Sequence, residues 1–108
     1  MTPRLLSWIA QATDGRLVGV DRSIDAVATD TRALPQGGAS LFVALKGETF
    51  DGHAHVAAAA AGGCVAALVA REVDAAIPQV VVENTERALG EFAAAVQRER
   101  VTRVLAVT

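Results

Sequence analysis

Leu41-Phe42-Val43-Ala44-Leu45, followed by Lys46-Gly47-Glu48-Thr49-Phe50-Asp51-Gly52-His53, is the stretch that decides the fold. The first five residues are a continuous apolar run between Ser40 and Lys46, with Gly38 and Gly47 just beyond on either side. A strand with one face in water alternates apolar and polar residues; a run with no polar break is covered on both faces, as in the centre of an α/β sheet. The polar segment behind it is too rich in glycine and charge to continue the strand. It reads as a loop at the strand's carboxyl end, which is where ligands collect in open α/β sheets.

Outward from this run the pattern is consistent. Upstream, Leu5, Ile9 and Ala12 have helical spacing, with Trp8 beside them, and Asp14-Gly15 stops that helix. Arg16 to Val20 reads as a short strand. Ile24 to Thr29 reads as another, with Ile24, Ala26 and Ala28 on one face and Asp25, Val27 and Thr29 on the other. Thr29-Asp30-Thr31-Arg32 leaves that strand, and Pro35-Gln36-Gly37-Gly38 is a loop by composition. Downstream, residues 53–61 are mostly alanine and predict a helix, with Gly62-Gly63 as its left-handed cap. Cys64 to Val69 and Val80 to Val82 are further strands. Asn84 or Thr85 caps a second long helix whose expected buried stripe is Leu89, Phe92, Ala93 and Val96. Gly90 inside that helix predicts a close approach to the sheet. Val104 to Val107 reads as the start of a last strand. The expected class is therefore α/β, with a small mixed sheet flanked by helices.

Composition narrows the function. The chain has 108 residues, the length of one small domain, and 52% are hydrophobic. Ten basic residues against twelve acidic ones give a formal charge of −2. That is no electrostatic footprint for nucleic acid or an anionic membrane. The apolar stretch near Leu5 is too short for a signal peptide or a spanning helix, so the expected compartment is the cytoplasm. Cys64 alone cannot make an internal disulfide, and in its apolar strand it reads as a small buried hydrophobe. His53 and His55 stand two apart with no completing ligand set, so no metal site is expected. No GxGxxG follows the first strand, which argues against a dinucleotide-dependent oxidoreductase.

The two polar loops carry hydroxyls, a guanidinium, an ammonium, glycines and an aromatic ring. A phosphorylated ligand needs such a set: glycine lets backbone amides approach, Arg32 and Lys46 offset charge, and Phe50 offers a face to a flat base. Read from spacing alone, the same residues also fit two solvated loops with ordinary turn chemistry.

Several motifs in order resemble the N-terminal domain of Mur ligases: Thr29-Asp30-Thr31-Arg32, Leu41 to Gly47, Phe50-Asp51-Gly52-His53 and Ala60-Ala61-Gly62-Gly63. The similarity runs from the first helix to Val104-Leu105-Ala106-Val107-Thr108, which in the family leads into a GxxGKT phosphate loop. Gln36 to Ser40 is longer than the family's usual turn, and Cys64 replaces its common alanine. Within the family the TDTR form looks most like the MurF type, which adds D-alanyl-D-alanine; the MurE type, which adds a diamino acid or lysine, is the near alternative. A non-catalytic interaction module is the other.

The resemblance implies a UDP-substrate-binding domain over residues 1–103, with 104–108 as the first strand of an ATP-binding domain. It implies that Thr31, Arg32, Lys46, Gly47, Glu48 and Phe50 hold the UDP part of UDP-N-acetylmuramoyl-peptide, with Asp51, Gly52 and His53 shaping the loop or adjacent to the ligand. ATP and magnesium would bind beyond residue 108, so the full enzyme would be a ligase, expected as a monomer, and these residues alone inactive.

Overall fold

The period-2 alternation hidden inside the apolar run explains the layers. In the computed structural model, which describes residues 2–34 and 37–107 (of Ala33 and 101–107 the backbone only), Leu41 and Val43 face one way and Phe42 and Ala44 the other. They belong to β5 (Ser40–Val43) and its immediate continuation. Its neighbours are β4 (Ala26–Ala28) and β6 (Cys64–Val69), both parallel to it. Next come β7 (Gln79–Val81), parallel to β6, and β2 (Arg16–Val18), antiparallel to β7. The sheet order is β2-β7-β6-β5-β4, the mixed sheet expected. A separate two-stranded ribbon pairs β1 (Arg4–Leu5) with β3 (Ser23–Ile24).

One face of the sheet is covered by α1 (Leu6–Ala12) and α3 (Thr85–Val107), which pack Leu6, Ile9, Ala88 and Phe92 against Leu41, Val43, Leu68 and Val80. The other is covered by α2 (Val56–Ala61), which sets Val56 and Ala59 on Phe42, Ala67 and Val69. Cys64 is buried in this second core, as its sequence context predicts, and burial pushes its thiol pKa up. Trp8 meets Phe92 edge to face at 6.2 Å, and the Arg4 guanidinium lies 5.1 Å from the Trp8 ring centre.

Several expectations need correction, four of them about where elements begin and end. The buried stripe of α1 is Leu6, Ile9 and Ala10, while Leu5 is exposed, because Leu5 is drawn into the β1–β3 ribbon and the helix begins one residue later. Residues 24–29 are not one strand. Asp25 accepts a hydrogen bond from the Ala39 amide, and the chain changes sheets there, so Ile24 and Val27 reach the first core while Ala28 pairs with Phe42. The helix over 53–61 is a 3-10 turn, Gly52–His55, followed by α2. Finally, Val104 to Val107 continues α3 rather than forming a strand. No glycine or proline stands between Glu91 and Val107 to stop the helix, so Arg98 and Arg100 lie inside it.

Gly63 alone takes the left-handed cap of α2, with φ +108°. The buried stripe of α3 is Ala88, Phe92 and Ala95, with Leu89 and Val96 half-buried and Ala93 exposed. Gly90 is exposed, and a Cβ there would meet nothing within 4 Å, so no close contact with the sheet explains it. Gly90→Ala should therefore stabilise the chain by about 0.5–1 kcal/mol through lost unfolded-state entropy, seen as a higher midpoint in thermal unfolding.

Candidate functional site

Asp30 stands at the end of β4 with an extended backbone and a short carboxylate, the combination that starts an Asx turn. Its Oδ1 accepts from the Arg32 amide at 2.9 Å and caps the 3-10 turn Thr31–Ala33. The Arg32 side chain folds back on the same group: Nε donates to Oδ1 at 3.0 Å and Nη2 to Oδ2 at 2.7 Å. Arg32 is nonetheless 88% exposed, so its other N–H groups face solvent. The guanidinium holds the Asp30 carboxyl at about 2, and the carboxylate raises Arg32 in turn.

The second loop is a tight hairpin. Lys46 and Asp51 pair across it, the Gly47 amide donates to the Phe50 carbonyl at 2.7 Å, and the Gly52 amide donates to the Leu45 carbonyl at 2.7 Å. Gly52 is pressed onto β5's end so closely that a Cβ would lie 2.9 Å from three backbone atoms of Ala44 and Leu45. Asp51 accepts from the His53 amide at 3.0 Å and from Nδ1 of its ring at 2.6 Å. His53 Nε2 accepts from the Ala70 amide at 2.8 Å. Since Nε2 accepts, the proton sits on Nδ1 and the ring is the neutral tautomer. The buried imidazole thus straps the hairpin to the end of β6. Arg71 donates to the other Asp51 oxygen at 3.4 Å. The bond to His53 is the main reason the Asp51 carboxyl is held at about 2.

Both carboxylates have native pKa values of about 2 against the ordinary 3.8. A depressed carboxyl stabilises the fold above its unfolded pKa and loses that contribution as pH falls through the native one. The thermal midpoint should therefore drop between about pH 4 and about pH 2, and Asp51→Asn should flatten that slope. A midpoint independent of pH in this window would show that the two carboxylates do not hold the loops.

Together the loops make a cleft of about 600 Å³ beyond the carboxyl ends of β4 and β5. Thr29, Asp30, Thr31 and Arg32 form one wall, Phe42 and Leu45 the floor, and Phe50 with His55 the other wall. The Phe50 and His55 rings are stacked, 5.2 Å between centres and 11° from parallel. The expected residues Thr31, Arg32 and Phe50 are thus brought together. Lys46 is not with them: it lines an adjoining depression of about 340 Å³ with His53, Arg71 and the start of α3 at Asn84 and Thr85. Gly47 and Glu48, at the hairpin tip, are exposed and line neither. Asp51, Gly52 and His53 shape the loop. Asp30 and His55 were not among the expected ligand residues. The Asx-turn signal could have marked Asp30, and the turn Gly52–His55, which brings His55 over Phe50, could have marked His55.

A larger cleft of about 770 Å³ lies at the amino end of β7, between Val18–Val20 and residues 72–79. Among the described residues it is lined by Glu72 and Asp74 and by no lysine or arginine, which disfavours an anionic ligand. Among the described residues, no group of three or more His, Cys, Asp or Glu could hold a metal ion, and no helix is long and apolar enough to cross a membrane.

No family model matches the chain. It is similar, at 48% identity over 103 residues, to UDP-N-acetylmuramoyl-tripeptide–D-alanyl-D-alanine ligase of Escherichia coli, a match covering 95% of this chain and 22% of the relative. A crystal structure of MurF from Acinetobacter baumannii superposes with a TM-score of 0.81 at 36% identity, over 94% of this chain and 22% of that one. The UDP-N-acetylmuramoyl-L-alanyl-D-glutamate–2,6-diaminopimelate ligase of Bacillus licheniformis is 42% identical, but over 64% of this chain and 14% of the relative. The chain spans about a fifth of the length of the curated MurF relatives it matches. MurF proteins match nearly the whole chain in sequence and fold, whereas the diaminopimelate ligase matches only part of it, so the chain belongs to the Mur ligase family and its similarity is broadest to the MurF type.

Proposed function

We propose that this chain is the substrate-holding N-terminal domain, residues 1–103, of a longer cytoplasmic, monomeric ligase, with 104–108 leading into the ATP-binding domain. The complete enzyme joins D-alanyl-D-alanine to UDP-N-acetylmuramoyl-tripeptide, the reaction in the name of its similar relatives. ATP with magnesium, bound outside residues 1–108, would supply a phosphoryl group to the peptide carboxylate with release of ADP, and the incoming amine would displace that group as inorganic phosphate to form the amide. The residues here contain no GxxxxGK[ST] loop, so their part is to hold and orient the nucleotide end of the substrate.

The observation that carries this reading is the cleft between Arg32 and the Phe50–His55 pair. A cation on one wall and a flat aromatic plate on the other match a diphosphate joined to a base. The uracil stacks on Phe50 or His55, the Thr31 hydroxyl and Arg32 take the diphosphate, and the sugar-peptide runs toward Lys46 in the adjoining depression.

Calorimetry on the full-length protein tests it. UDP-N-acetylmuramoyl-tripeptide should bind with UDP as a competitor. Arg32→Ala should weaken both ligands by about 1–3 kcal/mol, or roughly fivefold to 150-fold, because it removes a charge-assisted contact. Lys46→Ala should weaken only the complete substrate. Binding unaffected by either change would remove both residues from the site.

A further inference from the structure

Helix α3 has two apolar stripes, and the described chain fully buries only one. Ala88, Phe92 and Ala95 are buried on the α1 side. Leu89, Ala93 and Val96 form a second line at i, i+4 and i+7, rotated about a quarter turn or more around the helix. With Phe92 and Val27 they line an open groove of about 250 Å³ that, among the described residues, no charged or polar side chain lines. Val27 belongs to β4, which has a neighbour on one side only. Helix and sheet are thus unfinished at the same place.

We propose that this groove seats the remainder of the ligase, an apolar surface of its ATP-binding domain docking between α3 and β4. The inference rests on the reading of the chain as part of a longer MurF-type enzyme. Its relatives extend over more than four times the matched length, since the match covers 22% of them. The size of the patch also favours a tethered partner. Five residues line it, against roughly 20–30 a side in a stable interface between separate molecules. A domain joined by the same chain binds at a high effective concentration and needs far less surface.

Thiol labelling of the full-length ligase tests the proposal. Ala93 lines the groove and Ala94, also exposed here, lies about 100° further round the helix. Cys64 is buried, and the unsubstituted protein gives the background. With a maleimide, the Ala93→Cys variant should react at least about tenfold more slowly than the Ala94→Cys variant, at a ratio independent of protein concentration. Equal rates in an enzyme that still joins D-alanyl-D-alanine would overturn the groove assignment while leaving the ligase reading intact. Protection that appears only at higher concentration assigns the groove to a second copy and overturns it as well. Absence of ligase activity in the unsubstituted full-length protein would overturn both.

Discussion

Phe42→Ala is expected to destabilise the chain by about 4 kcal/mol. The side chain is fully buried, and its strand neighbours are both alanines: Ala28 on β4 and Ala67 on β6. Small residues on either side make room for the ring, and they have no atoms with which to fill the space it would leave. The cavity term should therefore be felt almost in full. Because Phe42 also forms part of the cleft floor, binding to the proposed nucleotide cleft should weaken along with stability. Phe42→Leu, which keeps most of the volume, should cost about 1.5 kcal/mol or less. Urea unfolding of the three proteins checks the series. A loss below about 1 kcal/mol for Phe42→Ala would mean that the second core is not packed as described.

Gly52→Ala should cost about 3 kcal/mol, and its effect on binding should exceed its effect on stability. The added methyl meets the Ala44 Cα and the Leu45 nitrogen and oxygen, all at 2.9 Å. These are backbone atoms at the end of a central strand, so the hairpin must move instead. That movement breaks the Gly52–Leu45 hydrogen bond and shifts Phe50 on one side and the Asp51–His53 strap on the other. Gly47→Ala is the control: a Cβ there meets nothing within 4 Å, and the change should stay within about 0.5 kcal/mol. Comparable losses in the two variants, by thermal unfolding and nucleotide titration, would show that close approach at Gly52 is not what shapes the loop.

The sheet was legible because its strands announce themselves. A run such as Leu41 to Leu45 has no polar face to offer water, and Cys64 to Val69 repeats the pattern, so both had to lie inside. What sequence could not decide was direction. Leu5 and Leu6 are adjacent and alike; which one is buried depends on the β1–β3 ribbon, a contact between residues about twenty apart in sequence. Residues 24–29 alternate well enough for one strand, and only the bond from Ala39 to Asp25 reveals a change of sheet. In α3, two apolar stripes compete, and periodicity cannot tell which one meets α1.

The candidate cleft was legible in its residue types more than in its geometry. Asp30, Thr31 and Arg32 are linked by local turn chemistry that spacing reveals. Lys46 stands only four residues before Phe50, yet the hairpin turns them into different depressions. His53 and His55 differ by two positions and have different tasks: one is buried as a strap, the other stacks on Phe50.

A cocrystal of the full-length protein with UDP-N-acetylmuramoyl-tripeptide tests most directly whether the two loops form the proposed nucleotide cradle. The diphosphate should lie within hydrogen-bond reach of Arg32 and Thr31, with the base against Phe50 or His55. A ligand found instead in the cleft between Val18 and Gln79, with Arg32 still folded only onto Asp30, would contradict it.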